Sequence, residues 1–110
     1  MDMNNEISLL VRRFKQSLLK EFGSQLSSVT LFGSFAENRA TETSDIDIAV
    51  VLNHTVDWHI RQKIYDLAFE AEGDSGRLLN VIVFSKDEFE GRAIDSLLLI
   101  ENILKQGITV

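Results

Sequence analysis

Two short groups of residues in this chain are of types and at spacings that could do chemistry. Gly33-Ser34 closes a β-branched and aromatic run, Val29 to Phe32, and Asp45-Ile46-Asp47 opens an apolar one that continues to Leu52. Side chains in a strand alternate between faces, so Asp45 and Asp47 project the same way, with α-carbons about 6 to 7 Å apart. Two carboxylates on one face repel each other, and a core does not tolerate them unpaired. A hard divalent cation removes that conflict, because Mg²⁺ takes oxygen ligands and commonly combines one or two carboxylates with substrate phosphate oxygens. Glycine lets backbone come close to a phosphate, and a helix start favours negative charge. The two groups together describe a place for a metal-bound polyphosphate. Arg39, in the loop between them, could meet the triphosphate or remain a solvated arginine. A lone Gly-Ser or a lone Asp-x-Asp is common and means little; the signal lies in their pairing at two strand ends.

The elements that must position these residues are legible in the periodicity. Ile7, Leu10, Val11, Phe14, Leu18 and Phe22 recur at three and four, predicting an amphipathic helix over 4–22, with Gly23 as its left-handed terminator. Val29 to Phe32 reads as a strand, with a possible helical turn over Ser34 to Glu37 and an irregular stretch to Ser44. Ile46 to Leu52 has the near-continuous apolar character of a central strand. A helix follows over 57–72, with Trp58, Ile64, Tyr65, Leu67, Ala68 and Ala71 expected to supply its buried stripe. Gly73-Asp74-Ser75-Gly76 is a turn cluster, and Leu78 to Phe84 a third strand. Ser85-Lys-Asp-Glu88 has the form of a capping box for a short helix. Asp95 to Gln106 predicts the last helix, and Ile108-Thr109-Val110 an edge strand. The expected fold is α/β in the two-layer α+β sense, a small mixed sheet backed by helices.

Composition sets the outer limits. The 110 residues are 45% apolar and 25% charged, ordinary for one compact domain covering 1–110. A formal charge of −6 argues against a nucleic-acid footprint but not against a nucleotide, since a bound divalent metal reverses the local sign. The absence of cysteine excludes disulfides and thiolate metal sites. No apolar stretch approaches the roughly 20 residues that span a bilayer, and the first six residues are not signal-like, so a cytoplasmic protein without membrane attachment is expected. His54 and His59 lack partners at metal-ligand spacing and read as surface residues.

Gly33-Ser34, ten residues, then Asp45-Ile46-Asp47 resembles the G-S-x10-D-x-D signature of the minimal nucleotidyltransferases, in the DNA polymerase β-like superfamily. The resemblance runs over roughly 6–110, including the leading helix, the apolar run after Asp47 and the ending SLLLIENILKQGITV. It implies that Gly33 and Ser34 hold the phosphates of ATP or another NTP, with Arg39 beside them. It also implies that Asp45 and Asp47 are the catalytic carboxylates and hold Mg²⁺, two ions in such proteins. The implied reaction moves a nucleoside monophosphate, AMP in the family, from the triphosphate to an acceptor hydroxyl, with pyrophosphate leaving.

Two positions depart from the pattern. The family's third carboxylate aligns with Asn80, a neutral carbonyl ligand that cannot act as a general base. Relatives often carry Arg-Gly near Glu37-Asn38, whereas here Arg39 is followed by Ala40. Glu72 or Asp74 could swing in from the turn to replace the missing acid. A chain of this size leaves little room for an acceptor-binding half, so the acceptor is expected on another polypeptide or on a second copy in a homo-oligomer. Minimal members pair with HEPN-domain ribonucleases and act as antitoxins by adenylylating them, which makes a HEPN protein the expected partner. Asn80 keeps a second reading open: a nucleotidyltransferase-fold module that neutralises its partner by binding alone.

Overall fold

The computed structural model describes residues 5–110. Four strands form one mixed sheet in the order β3-β2-β1-β4. β1 (Leu26–Phe32) lies antiparallel to β2 (Ile46–Leu52), which is parallel to β3 (Leu79–Ser85), and the two-residue β4 (Ile108–Thr109) closes the other edge antiparallel to β1. The parallel β2–β3 pair needs a crossover, supplied by helix α3 (Trp58–Glu72). Helices α1 (Asn5–Phe22) and α3 cover one face of the sheet. On the other face α4 (Lys86–Glu90) and α5 (Leu97–Gln106) cover only part, and α2 (Gly33–Ala36) is a single turn after β1.

Strand alternation divides the core into two clusters. Ile46, Ile48, Val50 and Leu52 of β2 face α1 and α3 and pack with Phe14, Leu18, Val29, Leu31 and Ile64. Ala49 and Val51 face the opposite way, against Phe32, Phe84, Ile100 and Ile103. Asp47 belongs to this second face, at the end that α5 leaves open. The central strand is therefore apolar on both sides except where it begins, and that beginning is the site.

Local signals set the element boundaries. Gly23 takes φ +54° and ends α1 in a short 3₁₀ turn, as its position predicted. Asp57 caps α3, its carboxylate accepting the Ile60 amide at 2.9 Å. Replacing it with alanine is expected to cost about 1 kcal/mol, read as a shift of the urea midpoint at constant slope. The capping box forms as expected: Ser85 Oγ accepts from Glu88 N–H and Glu88 Oε1 accepts from Ser85 N–H, both at 3.1 Å. The expected start of α1 at Asn4 lies outside the described residues, and the last helix is broken into a 3₁₀ turn, Ile94–Ser96, followed by α5.

The buried stripe of α3 differs from expectation. Ile64, Ala68 and Ala71 are buried, whereas Trp58 is 70% and Tyr65 42% exposed. Trp58, Tyr65 and Phe69 form a second apolar stripe on the same helix. The two small alanines let α3 pack closely into the core, and a face bearing the aromatics could not. No helix among the described residues is long and apolar enough to cross a membrane.

Candidate functional site

The sheet register brings the two motif halves together. Phe32 is paired with Asp47, so Gly33, the next residue, stands beside the Asp47 carboxylate just beyond the end of β1. Gly33 adopts φ +71°, a left-handed conformation that L side chains rarely take. A β-carbon built there would sit 3.0 Å from Asp47 Cγ and overlap its Oδ2. The glycine thus serves both the turn and the close approach of the carboxylate. Gly33→Ala is expected to cost about 2 kcal/mol from backbone strain and to push Asp47 out of place. Urea unfolding and titration with Mg-ATP, run on one preparation, read both effects.

On its other side, Asp47 is paired across the parallel ladder with Asn80. The Asn80 amide Nδ2 donates to Asp47 Oδ1 at 2.9 Å. Asp47 is half-buried and Asp45, the last residue before β2, is exposed. Asp45 stands two residues before Asp47, outside the strand, where the loop enters β2. Strand β2 starts where Ile46 N–H donates to Leu78 O at 2.9 Å, which fixes the backbone between the two aspartates.

Ser34 opens the single turn of α2 and is half-buried; its carbonyl accepts the Arg39 amide at 2.8 Å. One turn carries little of a helix dipole. What α2 offers an anion is the Ser34 hydroxyl and the first-turn amides that precede its ladder. Arg39 is exposed and its guanidinium pairs with Glu37 at 3.4 Å. Of the substitutes for a third acid, Glu72 is committed elsewhere, since its Oε2 accepts the Leu79 amide at 2.8 Å at the margin of β3. Asp74 is exposed on the turn. Among the described residues no three His, Cys, Asp or Glu side chains converge as a metal cluster.

The donor set nevertheless suits a hard cation. Asp45 and Asp47 supply carboxylate oxygens, and rotation of the Asn80 amide by half a turn exchanges its donor for a carbonyl oxygen at the same place. The glycine cradle gives the Asp47 carboxylate the place that a β-carbon at position 33 would take.

Comparison with known proteins identifies the family and the fold. A family model described as nucleotidyltransferase domain matches residues 11–109. The chain belongs to the nucleotidyltransferase domain family. A candidate protein adenylyltransferase of Methanocaldococcus jannaschii is 30% identical over 105 residues, 96% of each chain. The chain spans about half the length of two other curated relatives that it matches from the same organism, 45% and 53%. A solved toxin–antitoxin structure with AMP-PNP superposes with a TM-score of 0.62 at 24% identity, over 96% of this chain and 72% of that one. A re-refined complex of a tri-AMPylated Shewanella oneidensis HEPN toxin with MNT antitoxin superposes at 0.56 and 22%, over 93% and 69%. At that identity the likeness is one of fold.

Within the family frame, the Arg-Gly departure has a local explanation. Asn38 takes φ +60°, the conformation a glycine would provide, and asparagine is among the few residues that tolerate it. Glu37, the residue before Asn38, holds Arg39 by an ion pair. One residue of the neighbourhood escaped the sequence reading: Arg77, whose side chain reaches the motif loop.

Proposed function

We propose that this nucleotidyltransferase domain moves AMP from ATP to a hydroxyl group on a partner protein, and that the partner is a HEPN-domain toxin. The observation that carries the reading is the Gly33–Asp47 contact, which folds the two motif halves into one place at an open strand end. The candidate adenylyltransferase relative supports the reaction class, and the AMP-PNP and HEPN complexes support the nucleotide and the partner. A cytoplasmic setting, a single domain over 1–110 and adenine as the base belong to the same proposal.

In this reading Gly33, Ser34 and the α2 amides hold the triphosphate, with Arg39 free to leave Glu37 for a phosphate oxygen. Asp45, Asp47 and the Asn80 carbonyl would hold magnesium, which when bound offsets charge on the triphosphate and on the two carboxylates. The acceptor oxygen forms a bond to the α-phosphorus as the bond to the β-phosphate oxygen breaks and pyrophosphate leaves. Asn80 has no basic atom, so the acceptor proton must pass to Asp45, Asp47 or water.

The binding-only alternative is favoured by one observation, the neutral Asn80 bonded to Asp47. Incubation with labelled ATP, Mg²⁺ and the protein encoded beside this chain separates the two. Label on the partner that is lost in Asp45→Asn and Asp47→Asn establishes transfer. A tight complex that takes no label and is indifferent to both substitutions establishes the module.

A further inference from the structure

We infer that Arg77 is a positioning residue that braces the motif loop, setting where Asp45 stands relative to Gly33 and Asn80. The inference rests on the nucleotidyl-transfer reading for its consequence, though not for its geometry. Arg77 lies in the turn three residues before Asn80, and its backbone amide is fixed to Ser75 Oγ at 3.1 Å. From there its guanidinium crosses to the other half of the site. Nη1 donates to the carbonyl of Glu42 at 2.7 Å, and the guanidinium carbon lies 5.9 Å from the centre of the Phe35 ring.

Each partner belongs to a different part of the constellation. Phe35 is the buried side chain of α2, the turn that begins with Gly33 and Ser34. Glu42 lies three residues before Asp45, in a loop whose other hydrogen bonds, among the described residues, are short-range. They include Arg39 N–H to Ser34 O, Ser44 N–H to Thr41 O, Thr41 N–H to Ser44 Oγ, and the Thr41 hydroxyl paired with those of Thr43 and Ser44. One planar cation therefore joins the α2 turn, the loop before the aspartates and the segment that leads into Asn80. Lysine could not replace it, because the brace needs a flat face on Phe35 and a directed N–H on Glu42 at once.

The test uses the full chain and two substitutions, Arg77→Met, which keeps bulk over Phe35 and removes the donor, and Arg77→Lys, which keeps the charge. Amide hydrogen exchange is measured without nucleotide, and Mg-ATP affinity by calorimetry. Both variants are expected to exchange roughly tenfold or more faster at Arg39, Thr41 and Ser44, with protection in β2 unchanged. Both are expected to bind Mg-ATP about tenfold or more weakly. Unchanged exchange at those three amides in Arg77→Met would overturn the brace. So would an Arg77→Lys protein with wild-type affinity and a fast-exchanging loop, which would make Arg77 a charge acting on the triphosphate. If the wild-type chain bound no Mg-ATP, the function reading would fail while the exchange data still decided the brace.

Discussion

Asp47→Asn is expected to reduce adenylyl transfer by about 10³-fold, in line with removal of one preorganised charge from a transfer site, while leaving the fold and partner binding intact. Asp47 is the residue on which the site converges, flanked by Gly33 at the end of β1 and by Asn80 on β3. Asparagine has the same shape, so the Gly33 cradle still receives it. The substitution also removes a charge from the sheet end that faces Asp45, so metal-free stability should be unchanged or slightly higher. That combination is diagnostic, because a variant that merely unfolded would lose partner binding and melt earlier. Single-turnover transfer of labelled ATP, co-elution with the partner and a thermal melt supply the three readouts. Transfer within tenfold of wild type would show that Asp47 does not hold the ion that the transfer needs, and would remove the basis of the proposed reaction.

The parts of this site that could be read from sequence are those whose geometry is local. The Asp-x-Asp spacing puts both acids where β2 begins, and the positive φ of Gly33 follows from a turn that only glycine takes easily. Ile46 to Leu52 was legible as a central strand because both its faces are apolar, and it falls at those bounds. Asn80 was legible through the family resemblance and not through any local signal; a slip of one residue in the β2–β3 register would have put Leu79 or Val81 beside Asp47. Arg77 could not be found, since its two partners lie 35 and 42 residues away and no periodicity links a turn arginine to a loop carbonyl. Helix α3 was legible in its extent and in the burial of Ile64, Ala68 and Ala71, but Trp58 and Tyr65, expected in the same stripe, are exposed. Hydrophobicity does not separate the aromatics from the alanines, whereas packing favours the face with Ala68 and Ala71, where the backbone can come closest to its neighbours.

Asn80→Asp should reverse sign with magnesium. Without metal, the substitution exchanges a 2.9 Å hydrogen bond to Asp47 for a second carboxylate facing the first. The position is exposed, so solvent screens the repulsion, and the expected loss is about 1 kcal/mol, or roughly 4 to 8 °C in Tm for a domain near this size. With magnesium the same carboxylate completes a three-acid oxygen site, and affinity for the ion should rise by on the order of 100-fold. Ligand binding to the folded state alone raises Tm, so the variant should melt below wild type in chelator and above it in millimolar Mg²⁺. Transfer should rise in parallel, because the introduced carboxylate would also give the acceptor proton a base that asparagine cannot provide. Melting curves that keep the same order in chelator and in magnesium would mean that the ion does not sit between Asp47 and the substituted position. The neutral Asn80 would then be part of a surface that works by contact, and the binding-only reading would take precedence.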